Sequence, residues 1–203
     1  MDYKIINSGS SGNAVRINDV MIDCGVSFKL MKDELYKCKY LLLTHIHVDH
    51  IKPATLRQIK KLFPKIQIIG NHEVAQIFGV DVIANHGFPV ITRDYEFIPW
   101  EGVHDVVCTG YAWEFQGLKI IYATDTSSVE NAPKWKYDYV FLESNYDENK
   151  VKNIKDSRKR FGYEILEGAY RHLSTQKCKE FYYLNRASRD SVLVELHKSL
   201  RFY

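Results

Sequence analysis

Apolar and polar positions change places in short bursts at the start of the chain. YKIIN (3–7) leads into the polar turn SGSSGN, and AVRIN (14–18) and VMIDC (20–24) follow at close spacing, so three strands are predicted. The period then lengthens. Phe28, Met31, Leu35 and Cys38 recur at helical intervals and predict an amphipathic helix over 28–38. YLLLT (40–44) is a continuous apolar run and reads as a buried strand. Pro53 suits the first turn of a helix over 54–63, which Pro64 stops. IQIIG (66–70) predicts another strand, and HEVAQIFG (72–79) a short helix closed by Gly79.

The second half keeps this style. FPVIT (88–92), EFIPW (96–100), VVCTGYAWEF (106–115), LKIIYAT (118–124) and YDYVFLES (137–144) read as strands. Helices are predicted around 146–160 and from Leu173 to Asn185, and SVLVELH (191–197) is the final strand. Strands with interspersed helices in both halves predict an α/β protein whose sheets are covered by helices. Pattern alone does not choose among α/β architectures.

Composition narrows the class. The 203 residues are 45% hydrophobic and 13% aromatic, too apolar for a disordered chain and enough for one globular domain over 1–203. A chain of this size buries roughly 70% of its unfolded surface, so disulfide staples are not needed. Cys24, Cys38, Cys108 and Cys178 form no CxxC pair and read as free thiols, with Cys24 and Cys178 as core residues. The start of the chain shows no basic-then-apolar leader, and no apolar run is long enough to span a bilayer; a cytoplasmic protein without membrane attachment is expected. A formal charge of +3 neither demands nor excludes nucleic acid. The run KVKNIKDSRKR (150–160) puts Lys152, Lys155 and Lys159 on one helical face, which suits phosphate backbones or plain solvation. YEILEGAY and EFYYLNR could bring rings near a base or pack in the core.

The chemistry concentrates in THIHVDHI (44–51). His45, His47, Asp49 and His50 fall within six positions, directly after an apolar strand. Three imidazoles and a carboxylate pack poorly there, but all four ligate divalent metals. Four ligands from one turn exceed what one open tetrahedral ion needs and suit two ions sharing a loop, an arrangement that stabilises both attacking and leaving oxygens. Outside this stretch the residues are ambiguous alone. His104 sits between two predicted strands beside Asp105, Asp125 ends an apolar strand as a turn residue does, and His197 ends the last strand. His172 precedes Ser174, a good helix cap, and Glu143 ends a strand. His72 and His86 match no metal spacing and read as ordinary loop and helix-start residues. Ser10, Ser11 and Asn13 either touch substrate or make their turn.

HIHVDH resembles the HxHxDH signature of the metallo-β-lactamase fold. SGSSGNA (8–14) and IDCG (22–25) resemble the opening strands of that fold, VHD (103–105) its third histidine motif, ATDT (123–126) its bridging-aspartate motif and LVELHKS (193–199) its last histidine motif. SGSSGN, LESNYD (142–147) and RHLS (171–174) are most similar to the YycJ/WalJ-like branch, related to RNase Z and the β-CASP nucleases. The resemblance implies an αββα sandwich of two mixed sheets flanked by helices. It implies two divalent ions, zinc or manganese. His45, His47 and His104 would hold one and Asp49, His50 and His197 the other, with Asp125 bridging and Asp23 orienting a ligand. Asp49, His172 and Glu143 would be the catalytic groups, the Glu–His pair delivering a proton to the leaving oxygen.

A binuclear phosphodiesterase is expected, with a DNA exonuclease-like nuclease as the first reading, a nucleic acid or nucleotide as partner, and a homodimer as one assembly. The absence of an inserted domain and the small charge keep a second reading open, a small-molecule enzyme opening cyclic nucleotides. Lactone or thioester hydrolysis, or a non-catalytic binding protein, is more distant.

Overall fold

The computed structural model describes residues 1–156, 168–199 and 203; of Ile154 to Asp156 only the backbone is described. The chain divides into two compact units, Met1–Asn85 and His86–Tyr203.

The first unit is built on a six-stranded sheet in sequence order: β1 (Tyr3–Asn7), β2 (Ala14–Ile17), β3 (Val20–Ile22), β4 (Tyr40–Leu43), β5 (Gln67–Gly70) and β6 (Val82–Ile83). The first three strands are antiparallel, joined by short turns, and β3 to β6 run parallel. Parallel neighbours need crossovers, and the three helices supply them: α1 (Phe28–Leu35), α2 (Pro53–Leu62) and α3 (His72–Phe78). Met31 and Leu35 of α1 and Leu56 and Ile59 of α2 pack with Met21, Leu41, Leu43 and Ile68 of the sheet. Val15, Ile17, Ile22, Leu42 and Ile69, on the opposite pleat, are buried too. Strands buried on both faces explain why YLLL carries no polar alternation.

The second unit repeats the plan. Its sheet contains β7 (Val90–Ile91), β8 (Glu96–Gly102), β9 (Cys108–Phe115), β10 (Leu118–Ala123), β11 (Tyr139–Glu143) and β12 (Val192–Leu196), again in sequence order. β7 to β10 are antiparallel, and β10, β11 and β12 are parallel. Two further helices are α4 (Glu148–Asp156) and α5 (Thr175–Asn185), the latter capped by Ser174 Oγ accepting from Lys177 N. Leu173 and Cys178 bring the start of α5 onto Ile121, Val140 and Leu142.

Among the described residues the predicted elements are present to within a few residues, and β6 is a strand the pattern did not announce. The four cysteines are free, with Cys24 and Cys178 in the two cores. Among the described residues no helix is long and apolar enough to cross a membrane. The far end of the helix predicted to 160, with the Lys155 side chain and Lys159 of the basic run, and most of YEILEGAY lie outside the described residues.

Candidate metal centre

In both units the polar residues of interest sit where parallel strands end. Asp23 follows β3, His45 follows β4 by two residues, Asp125 follows β10 by two, Glu143 closes β11 and His197 follows β12. The carboxyl ends of parallel strands are where open α/β sheets place ligands, because the connecting loops diverge there. Backbone conformation marks the same residues. Asp23 (φ 61°), Asp125 (φ 54°) and His197 (φ 52°) are in the left-handed region, which costs about 1 kcal/mol or more for a residue with a side chain. Asn18 and Gln116 share that conformation, but in hairpin turns, where it needs no further explanation.

In the first unit Asp23 organises the histidine loop. Its carboxylate accepts from Thr44 N (2.9 Å), Thr44 Oγ1 (2.9 Å) and His50 Nδ1 (2.7 Å). Thr44 Oγ1 also lies 3.0 Å from His45 Nδ1. Both imidazoles therefore bind protein through Nδ1 and turn Nε2 outward, the arrangement that metal-binding histidines need. Burial pushes the Asp23 carboxyl above its ordinary range, against the pull of His50 and Thr44. His45 Nε2 stands 3.2 Å from His47 Nδ1, and His50 Nε2 3.9 Å from the Asp49 carboxylate. The loop is held from behind. A Cβ on Gly25 would fall 1.7 Å from the Asp49 carbonyl oxygen, so only glycine lets IDCG back onto the HVDH turn.

In the second unit Glu143 is the hub. It is fully buried. Oε1 accepts from His172 Nδ1 (2.7 Å) and His197 Nδ1 (3.0 Å), and Oε2 from the backbone N–H groups of Thr126 (3.0 Å) and Leu173 (3.2 Å). Burial alone would raise its pKa, but the His172 and His197 hydrogen bonds outweigh it and hold the carboxyl below the ordinary glutamate value. The two imidazoles stack, with centroids 5.2 Å apart. His197 Nε2 lies 3.5 Å from Asp125 Oδ2, and His172 Nδ1 3.4 Å from Asp125 Oδ1. Asp125, Glu143, His172 and His197 each offer a ligand atom within 4.8 Å of the others. His104 is in the same unit, with Nε2 3.2 Å from Asp105 and its ring 6.0 Å from that of His172.

The donors fit a divalent cation. Two ligands about 2.0–2.1 Å from one tetrahedral ion stand roughly 3.3 Å apart. The His45–His47 separation of 3.2 Å and the His197–Asp125 separation of 3.5 Å match that edge. All donors are nitrogen or oxygen, as zinc and manganese both accept. Glu143 is the exception, since both its oxygens are already engaged by N–H groups and it orients His172 and His197 instead. One competitor is visible: Asn13 Nδ2 lies 2.8 Å from His50 Nε2, so a cation there must displace that amide.

At the level of sequence, no family model and no curated protein matches. The structure finds neighbours. Human tRNase Z, short form, aligns with TM-score 0.71 at 18% identity, over 99% of this chain and 94% of that one. The metallo-β-lactamase fold protein YhfI from Bacillus subtilis aligns with TM-score 0.68 at 15% identity, over 98% and 86%. The chain has the metallo-β-lactamase fold. A diphosphatase of the PhnP family is a third neighbour, with TM-score 0.66 at 18% identity, over 98% and 87%.

The motif residues occupy strand ends and loops, each in its own unit. The sequence did not single out Thr44 or Asn145. Thr44 bridges Asp23 and His45, and Asn145 Nδ2 donates to the His197 carbonyl (2.8 Å), fixing that strained residue. Asn145 lies in the quoted LESNYD, but its partner is 52 positions away. Asn13 anchors the SGSSGN turn, accepting from Gly9 N (2.8 Å). His72 opens α3, and His86 Nε2 lies 2.9 Å from Thr109 Oγ1.

Proposed function

We propose that this protein is a binuclear metal-dependent phosphodiesterase, and that it acts as a DNA exonuclease-like nuclease of the YycJ/WalJ-like kind. The observation that carries the reading is the Glu143 hub, which holds two imidazoles, His197 and His172. Simple hydrolases that need only metal-activated water have no use for the second. Two structural neighbours bear the names of a tRNase and a diphosphatase, which supports phosphate-ester chemistry.

In this reading residues 1–203 are a single metallo-β-lactamase-like domain. His45, His47 and His104 would hold one ion and Asp49, His50 and His197 the other, with Asp125 as a further ligand. Bound zinc or manganese would neutralise charge on the phosphoryl oxygens and acidify a water. The chain supplies the rest. Asp23 and Thr44 fix the His45 and His50 rings, and Asn145 and Glu143 fix His197. Asp49 serves as ligand and as a catalytic carboxylate. His172 carries a proton on Nε2 to the departing oxygen, and Glu143 stabilises the imidazolium that bears it. Homodimerisation is a separate part of the proposal, read by sedimentation.

The net charge of +3 favours a second reading, a phosphodiesterase for cyclic nucleotides, because a polymer substrate is normally gripped by a stronger basic surface. A turnover panel with Mn²⁺ or Zn²⁺ separates the two, using end-labelled single- and double-stranded DNA, RNA and cyclic mononucleotides. Shortening of DNA from an end supports the nuclease. Opening of cyclic nucleotides alone selects the second reading. Inertness towards every substrate with either metal overturns both.

A further inference from the structure

Between β10 and β11 the chain leaves Asp125 and runs through SSVENAPKWK (127–136) before re-entering the sheet. This segment and α5, both in the second unit, enclose a cleft of about 590 Å³. One residue links the cleft to the Glu143 hub: Leu173 lines it, and the Leu173 N–H donates to Glu143. Ser127, two residues after Asp125, lines it as well.

The walls are set before any ligand arrives. Thr126 Oγ1 donates to Ser128 O (2.6 Å), Trp135 N to Pro133 O (2.8 Å) and Tyr137 Oη to Pro133 O (2.5 Å). Lys136 Nζ donates to the Leu184 carbonyl of α5 (2.6 Å) and ties the segment to the helix. Two rings line the cleft, Trp135 and Phe181. Both pack on the buried Tyr137 ring, at centroid distances of 6.2 Å and 6.1 Å. Lys134 and Lys177 line the cleft with exposed side chains, as do Glu130 and Glu180.

Preformed aromatic walls suit a flat ring, and lysines at the rim suit an anion attached to it. Carboxylates among them can accept from exocyclic amino groups and disfavour a purely anionic ligand. We propose that this cleft is the nucleobase pocket: the base joined to the reacting phosphate lies against Trp135 and Phe181, with Lys134 or Lys177 facing its phosphate side. The inference rests on the phosphodiesterase reading and adds to it recognition of the base, which the metal ligands and the Glu143 hub do not provide.

The chain carries its own reporter. Of its three tryptophans, Trp100 and Trp113 are buried and Trp135 lines the cleft. Adenosine 5′-monophosphate is the probe, ribose 5-phosphate the base-free control, and calorimetry gives Kd for wild type, Trp135→Ala and Trp135→Phe, each checked by circular dichroism. The expected result is saturable quenching by the nucleotide and binding about tenfold or more tighter than ribose 5-phosphate. Trp135→Ala should remove that preference, and Trp135→Phe, which keeps a ring, should retain most of it. Equal binding of the two probes, or an unchanged preference in a folded Trp135→Ala protein, overturns the pocket. Hydrolysis of bis(p-nitrophenyl) phosphate by metal-loaded wild type is run in parallel, because that substrate has no base. Turnover of it without nucleotide preference sinks the pocket alone. Nucleotide preference without any such turnover sinks the phosphodiesterase reading and leaves a nucleotide-binding cleft.

Discussion

Two buried glutamates, one in each unit, solve the same electrostatic problem with different partners. Glu34 on α1 accepts from Arg16 Nε (2.6 Å), Lys37 Nζ (3.1 Å) and Lys4 Nζ (3.2 Å). Glu143 accepts from two imidazoles and two backbone N–H groups. Burial opposes the charge on both, and in both the hydrogen bonds win, so both carboxyls lie below the ordinary glutamate value. The difference is in the donors. Arginine and lysine stay charged throughout the neutral range, so the Glu34 cluster is a fixed clamp that ties α1 to β1 and β2. Imidazoles gain and lose protons near neutrality, so the Glu143 cluster holds groups that can do proton chemistry. Similar burial therefore marks a structural element in one place and a candidate reaction centre in the other.

Glu143→Gln breaks the comparison most severely. Turnover of whichever phosphodiester the panel identifies should fall about 10²–10⁴-fold, measured as kcat at saturating metal. His172→Ala should lose a similar factor while retaining its metal. Metal loss there would make His172 a ligand instead. Glu34→Gln should do the reverse. It leaves the buried Arg16 with the exposed Asp2 carboxylate (3.0 Å) and the Asn18 carbonyl (2.7 Å) in place of the buried Glu34, so unfolding in urea should show a loss of about 1–3 kcal/mol, with kcat within about twofold of wild type. The sign of the pH effect sharpens this. The Glu34 pKa falls from 4.5 to about 2 on folding, so its contribution is complete above 4.5 and is lost as the pH drops towards 2. The stability difference between wild type and Glu34→Gln should therefore shrink across that window, and a constant difference would contradict the assignment. Asn145→Ala is the mildest variant. Removing one buried hydrogen bond to the His197 carbonyl should cost about 1 kcal/mol, read as a small drop in melting temperature.

Much of this was legible from the residues because the local signals agree. Pro53 and Pro64 bracket α2, Gly79 closes α3, and YLLL reads as a buried strand, which the structure buries on both faces. β6 was not legible, since its two residues, Val82 and Ile83, owe their pairing to Ile69 and Gly70 rather than to any pattern of their own. The site divides the same way. His45, His47, Asp49 and His50 announce themselves by spacing. His104, Asp125 and His197 lie far apart in sequence and had meaning only through the family resemblance. Thr44 and Asn145 were invisible because their roles are hydrogen bonds to residues 21 and 52 positions away. The Trp135–Phe181 cleft had no sequence signal at all: EFYYLNR hinted at rings, but only the Tyr137 packing joins one of them to Trp135.

Metal content tests the central claim most directly. Protein loaded with Zn²⁺ or Mn²⁺, freed of excess ion by gel filtration and analysed by plasma mass spectrometry, should retain about two ions per chain. His47→Ala and His197→Ala should each retain about one, with unchanged circular dichroism. A wild-type chain that holds no ion under these conditions, or variants that bind as much as wild type, would contradict the assignment of these side chains as metal ligands.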